Sequence, residues 1–140
     1  MRSIKYRGYS PFLNKWIFGV PFGISDAETT FMIDNASTLY ARESDTVFTG
    51  YIVDPNSIGK FSTFKDKKGV EIYEGDILKN DKKEVGVVVW YNSGLYLKAE
   101  RKNKSFFYIP LDLGFLKNKE VIGNFHENSE ILERSVKADA

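Results

Sequence analysis

The chain contains no cysteine, only one histidine and only four prolines in 140 residues. The absence of cysteine excludes disulfides, thiolate nucleophiles and every zinc or iron–sulfur site built on sulfur. His126 cannot form a two-histidine metal site by itself, and neither a GxSxG nucleophile elbow nor a phosphate-binding glycine loop accompanies it. The sequence therefore predicts a protein that is not an enzyme and that carries no metal or cofactor.

The N-terminus lacks the long apolar run that a signal peptide or a membrane span requires, because Pro11, Asn14 and Lys15 interrupt it. The chain is thus expected to be cytoplasmic, with no membrane partner. Apolar residues make up 42% of the chain and aromatic residues 15%, which predicts a folded domain with a substantial core.

Short apolar or alternating runs separated by turn residues indicate antiparallel strands. We expect a mainly β fold with a strand-rich N-terminal subdomain over residues 1–57. Residues 58–140 are expected to form a small SH3-like or OB-like barrel with a short C-terminal helix, and both parts to pack as one unit. The helix would be capped by Asn128 or Ser129. Residues 25–45 fit either strand or helix.

Two runs define the centre of the predicted barrel. Residues 85–91 are apolar almost throughout, which predicts a central strand with both faces covered, with Trp90 in the core and either a bulge or a close neighbour at Gly86. Residues 95–101 alternate, so that Leu95 and Leu97 face inward while the residues between them face water. Residues 92–94 form the hairpin turn between these strands.

Glu74 and Asp76 flank a glycine and could ligate a hard cation or act as an acid–base pair. A metal-dependent enzyme would need a distant carboxylate such as Asp112 to join them. The favoured interpretation is a strand-entry turn in which a carboxylate accepts backbone N–H bonds.

Charge is distributed unevenly, with thirteen Lys and Arg against eight Asp and Glu in residues 60–119. Aromatic residues in this block, at 90–91, 96 and 106–108, either fill a core or stack on single-stranded bases. In an antiparallel meander, the turns around residues 80–83 and 102–104 lie at the same end of the sheet. The sequence thus predicts a basic rim, with candidate nucleic-acid contacts at Lys82, Lys83, Lys102 and Lys104.

Three stretches resemble the YopX family of phage and prophage proteins. Residues 1–7 are similar to its opening, residues 65–77 to its charged turn followed by EIYEGDI, and residues 120–128 to its closing EVIGNIYEN pattern. Ser62-Thr63-Phe64 departs from the family, which tends to have a Thr-Gly pair there, and residues 8–58 show no matching pattern. The motif residues of unknown role are Glu71, Tyr73, Glu74, Gly75, Asp76, Gly123, Asn124, Glu127 and Asn128.

The resemblance implies a mostly β fold, a phage or prophage origin and a bacterial host cytoplasm, without an established activity or catalytic residues. The favoured function is an accessory protein that binds a host or phage protein through a sheet edge or a barrel mouth. The alternative is a single-stranded nucleic-acid-binding barrel, and a metal-dependent enzyme ranks last. A homo-oligomer is expected slightly more than a monomer, because open sheet edges are often paired.

Overall fold

The structure, a computed structural model, describes residues 5–23, 30–34, 40–41, 46–47, 50–101 and 103–133. The chain divides into two compact units, Met1–Lys60 and Phe61–Ala140. In the described residues, no helix has the length and apolar character needed to span a membrane. The elements of the first unit are β1 (Tyr6–Ser10), β2 (Lys15–Gly23), β3 (Thr30–Asp34), β4 (Tyr40–Ala41), β5 (Thr46–Val47), β6 (Gly50–Val53) and a 3-10 helix (Pro55–Ser57).

The remaining elements are β7 (Gly59–Lys65), β8 (Glu71–Tyr73), β9 (Asp76–Lys79), β10 (Val85–Tyr91), β11 (Gly94–Glu100), β12 (Phe106–Pro110), α1 (Leu113–Leu116), β13 (Glu120–Asn124) and α2 (Phe125–Asn128). Strand β7 crosses the boundary between the units. Its first two residues pair with β1, and its later residues pair with β8.

The first unit is an antiparallel sheet in the order β6-β3-β2-β1, followed by the start of β7. Its apolar face buries Ile17, Met32 and Val53. Gly8 permits this packing, because a Cβ there would lie only 3.1–3.2 Å from side-chain atoms of Met32 and Val53. The Ser57 hydroxyl accepts the Tyr9 backbone N–H at 2.7 Å, which ties the 3-10 helix to β1.

The second unit contains a five-stranded antiparallel sheet in the order β12-β11-β10-β9-β13. One face carries Leu78, Val88 and Leu97, and Ile72 from β8 and Leu116 from α1 cover it. At Gly86 the structure has the close neighbour that the sequence allows. A Cβ on this residue would lie 2.9 Å from both Leu97 Cγ and the Lys98 carbonyl oxygen.

The turns of this sheet follow the expected geometry. Asn92 and Ser93 both have positive φ, the conformation of a two-residue hairpin turn. The turns from Asn80 to Glu84 and from Arg101 to Ser105 repeat one pattern, in which the N–H of the first residue bonds the carbonyl of the fifth at 2.8–3.0 Å. Because the strands form a meander, these two turns share one end of the sheet, as predicted.

The mainly β class is confirmed, but the sheet expected to form an SH3-like or OB-like barrel does not close in the described residues. In the part of the chain that the structure describes, β12 pairs with β11 and β13 pairs with β9, but the two end strands do not pair with each other. The physical reason is that β8 and α1 cover the apolar face, so that the sheet has no need to close on itself.

One local prediction needs correction. Trp90 is not in the core, because 55% of its surface is exposed and the far end of β10 is uncovered. The predicted helix after Ser129 is present over residues 130–133, and a further short helix, α2, precedes it with Asn124 as its N-cap. Residues 113–116 form α1. Within the ambiguous stretch at 25–45, Thr30–Asp34 and Tyr40–Ala41 are strands, and its other residues lie outside the described part.

Candidate functional site

The charged turn after β7 is organised by one buried carboxylate, that of Asp66. Its Oδ1 accepts the backbone N–H groups of Lys68 at 2.8 Å and Val70 at 2.9 Å. Its Oδ2 accepts the N–H of Val121 in β13 at 2.9 Å. Gly69 takes the left-handed position of this turn with a φ of 81°. The Asp66 side chain therefore shapes the hairpin and joins it to a strand 55 residues further along the chain.

The EIYEGDI stretch meets the closing motif at the other end of β9. Asp76, only 1% exposed, accepts the Tyr73 backbone N–H through Oδ2 at 2.7 Å. Gly75, with a φ of 93°, donates its N–H to the Val88 carbonyl and accepts the Phe125 N–H, both at 2.7 Å. Asp76 thus serves the turn in the way the sequence favours, as an acceptor for backbone N–H.

The closing motif is a helix-capping arrangement. Asn124 caps α2 by accepting the Glu127 backbone N–H through Oδ1 at 2.9 Å, and its Nδ2 donates to Glu127 Oε1 at 3.1 Å. Asn128 Oδ1 accepts the Asn124 backbone N–H at 3.2 Å. This bond requires Gly123, because a Cβ there would lie 2.7 Å from Asn128 Oδ1.

Electrostatic contacts reinforce the same junction. Lys68 Nζ lies 2.8 Å from Glu120 Oε1; this hydrogen bond raises the pKa of Lys68 and lowers the pKa of Glu120. Lys119 is buried, and desolvation lowers its pKa. Its Nζ donates to the Phe115 carbonyl at 3.2 Å, at the C-terminus of α1.

These contacts assign an architectural role to most of the motif residues. Glu71 pairs with Lys65 across the β7–β8 hairpin, Tyr73 packs its ring 5.3 Å from that of Phe61, and Glu74 lies half-buried between β8 and β9. Asp112, the third carboxylate that a metal site would need, accepts the Phe115 N–H at 2.7 Å as the N-cap of α1. Among the described residues, no three His, Cys, Asp or Glu side chains cluster to hold a metal ion.

A second feature lies on the sheet face opposite the core. Side chains two residues apart point to the same side of a strand, and paired residues on neighbouring strands share a face. The pairings Val89–Tyr96, Lys98–Tyr108 and Glu100–Phe106 therefore place one set of side chains together. We call this set the tyrosine face; it comprises Tyr91, Tyr96, Lys98, Glu100, Phe106 and Tyr108.

The three tyrosine rings of this face contact one another across three strands. Tyr91 and Tyr108 stack with centroids 3.8 Å apart and planes 9° from parallel. Tyr96 meets Tyr91 edge to face at 5.5 Å and 87°. Tyr91 and Phe106 are nevertheless exposed, at 44% and 52%. Exposed aromatic surface of this extent, with rings already in contact, is typical of a binding surface.

One cation lies among these rings, and others lie at one end of the same sheet. Lys98 Nζ lies 4.2 Å from the Phe106 ring centroid, in cation–π contact. Lys82, Lys83 and Lys104 are exposed in the two turns that share one end of the sheet. Residues 79–105 carry seven Lys and Arg against three Asp and Glu, one of which, Glu100, is on the tyrosine face. The surface is thus both aromatic and basic.

Comparison with known proteins gives the chain a family. The model described as YopX protein matches residues 5–133, most of the chain. The chain belongs to the YopX family. No curated protein sequence matches it.

One solved structure extends the comparison of this YopX chain to the fold. The chain is similar to the crystal structure of protein EF1440 from Enterococcus faecalis, with a TM-score of 0.53 and 22% sequence identity. The match covers 94% of this chain and 99% of that one. At this identity the similarity shows the fold alone.

The predicted residues divide between two places in this YopX chain. Those of the motif meet where β9, β13 and α2 join, while Lys82, Lys83 and Lys104 lie at the basic end of the meander. Lys102 lies outside the described residues. The sequence indicated the aromatic residues but not the stacking of Tyr91 on Tyr108. These residues lie on β10 and β12, which are not neighbours in the sheet, so the pairing of adjacent strands does not relate them. The period of two in β11 and β12 is the signal that could have grouped them.

Proposed function

We propose that this YopX-family chain is a non-enzymatic binding module of phage or prophage origin, acting in the host cytoplasm, and that its partner docks on the tyrosine face. The observation that carries the proposal is the exposed Tyr91–Tyr108 stack with its edge-to-face neighbour Tyr96. Rings that already contact one another lose little conformational entropy when a partner covers them, so they favour binding.

The motif residues between 65 and 77 and between 120 and 128 support the same proposal, because their side chains serve the fold rather than a partner. Their polar side chains accept backbone N–H groups or cap a helix. Side chains committed in this way hold a fold together, and a module of this kind needs its contact surface elsewhere. The tyrosine face meets that need.

A host or phage protein is one candidate partner. Strand β12 supports it, because β12 ends the described sheet and a partner strand could pair along its outer edge. Single-stranded nucleic acid is the other candidate, and the position of Lys98 among the aromatic rings favours it.

The test is affinity capture from lysogenic or infected cells, with and without nuclease, using the wild-type chain and two variants. The variant Y91A/Y108A removes the stack. The control W90A removes an aromatic residue that is 55% exposed on the opposite side of the same strand. We expect wild type and W90A to retain the same specific partner and Y91A/Y108A to lose it. Equal retention by all three folded proteins would refute the tyrosine face as the contact surface.

A further inference from the structure

The tyrosine face combines exposed aromatic rings with a lysine, and this combination favours one class of binding partner. Resting on the proposed function, we infer that this face binds single-stranded nucleic acid, with bases stacked on its rings and phosphates held by its lysines. The shared chemistry is an unpaired base on a polyanionic backbone, which DNA and RNA both supply.

The rings are arranged for base stacking. Tyr91 and Tyr108 lie nearly parallel at the 3.8 Å separation of stacked aromatic rings, and Tyr91 remains 44% exposed. The inference places a base against the exposed part of Tyr91 in this stack. The Phe106 ring, which is 52% exposed, offers a second stacking position on the same face of β12, two residues from Tyr108. Every base has a flat π face, so such sites accept any sequence.

The charges favour a polyanion over a protein. The cores of protein interfaces are depleted of charge, whereas Lys98 lies among the rings of this face. A protein that covered Lys98 would have to supply an acid at that point, but every nucleotide of a single strand carries a phosphate. Lys104, Lys82 and Lys83, at one end of the same strands, extend the basic surface along the path of a bound backbone.

The geometry also indicates single strands rather than a duplex. A base must be unstacked from its own neighbours before a side-chain ring can cover its face. The rings here lie on a sheet surface, and the described residues contain no long helix that could enter a major groove. Duplex of the same sequence should therefore bind much more weakly than either of its strands.

The experiment is fluorescence anisotropy with labelled 12-nucleotide oligo(dT) and oligo(U), and with a dT·dA duplex, at 50 and 200 mM salt. Three phosphate contacts predict binding about 20-fold weaker at the higher salt, from a slope of about −0.7 per phosphate. Loss of a stacking ring predicts binding about 5- to 150-fold weaker. The relative strength of dT and U binding shows which sugar the face prefers, and either order supports the inference.

Variants separate the face from the rest of the chain. Y108A and Y91A/Y108A test the rings, and K98Q tests a phosphate contact without removing an aromatic residue. W90A is the control, and thermal unfolding monitored by circular dichroism checks that each variant is folded. We expect single strands to bind wild type and W90A alike, Y108A and Y91A/Y108A more weakly, and K98Q with a salt slope smaller by about 0.7.

Two outcomes would overturn the inference, with different consequences for the proposed function. Absence of oligonucleotide binding to wild type at 50 mM salt refutes nucleic acid as the occupant. The proposed function survives that result if Y91A/Y108A still loses a nuclease-insensitive protein that W90A captures. Oligonucleotide binding that none of the face variants weakens contradicts both proposals, because the contact surface would then lie elsewhere.

Discussion

The substitution of Thr63 by glycine should stabilise the protein. Thr63 is exposed in β7 and has a φ of 73°, in the left-handed region that β-branched residues rarely adopt. It lies where the β7–β8 pairing shifts register, between Phe61–Tyr73 and Lys65–Glu71, and the Ser62 hydroxyl accepts the Phe64 N–H at 3.1 Å within this bulge.

The expected magnitude follows from two opposing terms. A left-handed conformation costs an L-residue about 1–2 kcal/mol, which glycine avoids. Glycine gives up about 0.5–1 kcal/mol of that gain, because its unfolded chain has more conformational freedom. The free energy of unfolding should therefore rise by about 1 kcal/mol. For a chain of this length, that change raises Tm by about 3–5 °C.

Thermal and urea unfolding of T63G, monitored by circular dichroism, measure the effect. The matched control is K65G, which places glycine at an exposed position of the same strand without positive φ, and it should lose about 0.5–1 kcal/mol. If T63G is destabilised to the same extent as K65G, the conformational argument is refuted. The variant T63N should fall between wild type and T63G, since asparagine tolerates the left-handed region better than threonine.

Three further predictions concern β13 and the residues that contact or precede it. G123A should lower the free energy of urea unfolding by about 1–2 kcal/mol, because its Cβ would displace Asn128. The control G94A should be nearly neutral, because the nearest side-chain atom to its Cβ, on Tyr96, is 3.6 Å away. Equal losses in the two variants would contradict this prediction. D66N should lower the free energy of unfolding by about 2 kcal/mol, because an amide cannot accept all three backbone N–H bonds that the Asp66 carboxylate accepts. An unchanged free energy of unfolding would refute the role of Asp66 in organising the turn. Burial lowers the pKa of Lys119, so between that pKa and 10.5 the unfolded state binds more protons and stability rises with pH. Wild type should thus gain stability relative to K119M as pH rises from 8 towards 10.5, and parallel curves would show that burial does not act on this amine.

Much of the sheet could be predicted because its signals are local. The strand over residues 85–91 and the hairpin at Asn92-Ser93 follow from an apolar run, alternation and turn residues close in sequence. Barrel closure depends instead on pairing between strands far apart in the chain. Strand β8, with three residues, is too short to show a period, and β13 contains a bulge between Val121 and Gly123.

The error at Trp90 has a specific cause. Alternation from Val88 places Trp90 on the core side of β10, and that side is correct. The position along the strand decides burial, however, and Trp90 lies near the end of β10, where it remains more than half exposed. A period of two gives the face of a residue, but not whether the covering layer reaches that far.

The motif residues and the tyrosine face differ in whether their side chains are already engaged in hydrogen bonds of the fold. Asp66 has about four acceptor positions, and three of them already hold backbone N–H groups. Asn124 uses both side-chain groups on Glu127. A ligand at either residue would have to displace bonds that hold the turn or the helix. Tyr91 and Phe106 have exposed ring surface, and covering it would bury apolar area without breaking any bond of the fold. The proposed binding surface, with its rings and cations, therefore lies outside the residues that hold the turn and the helix.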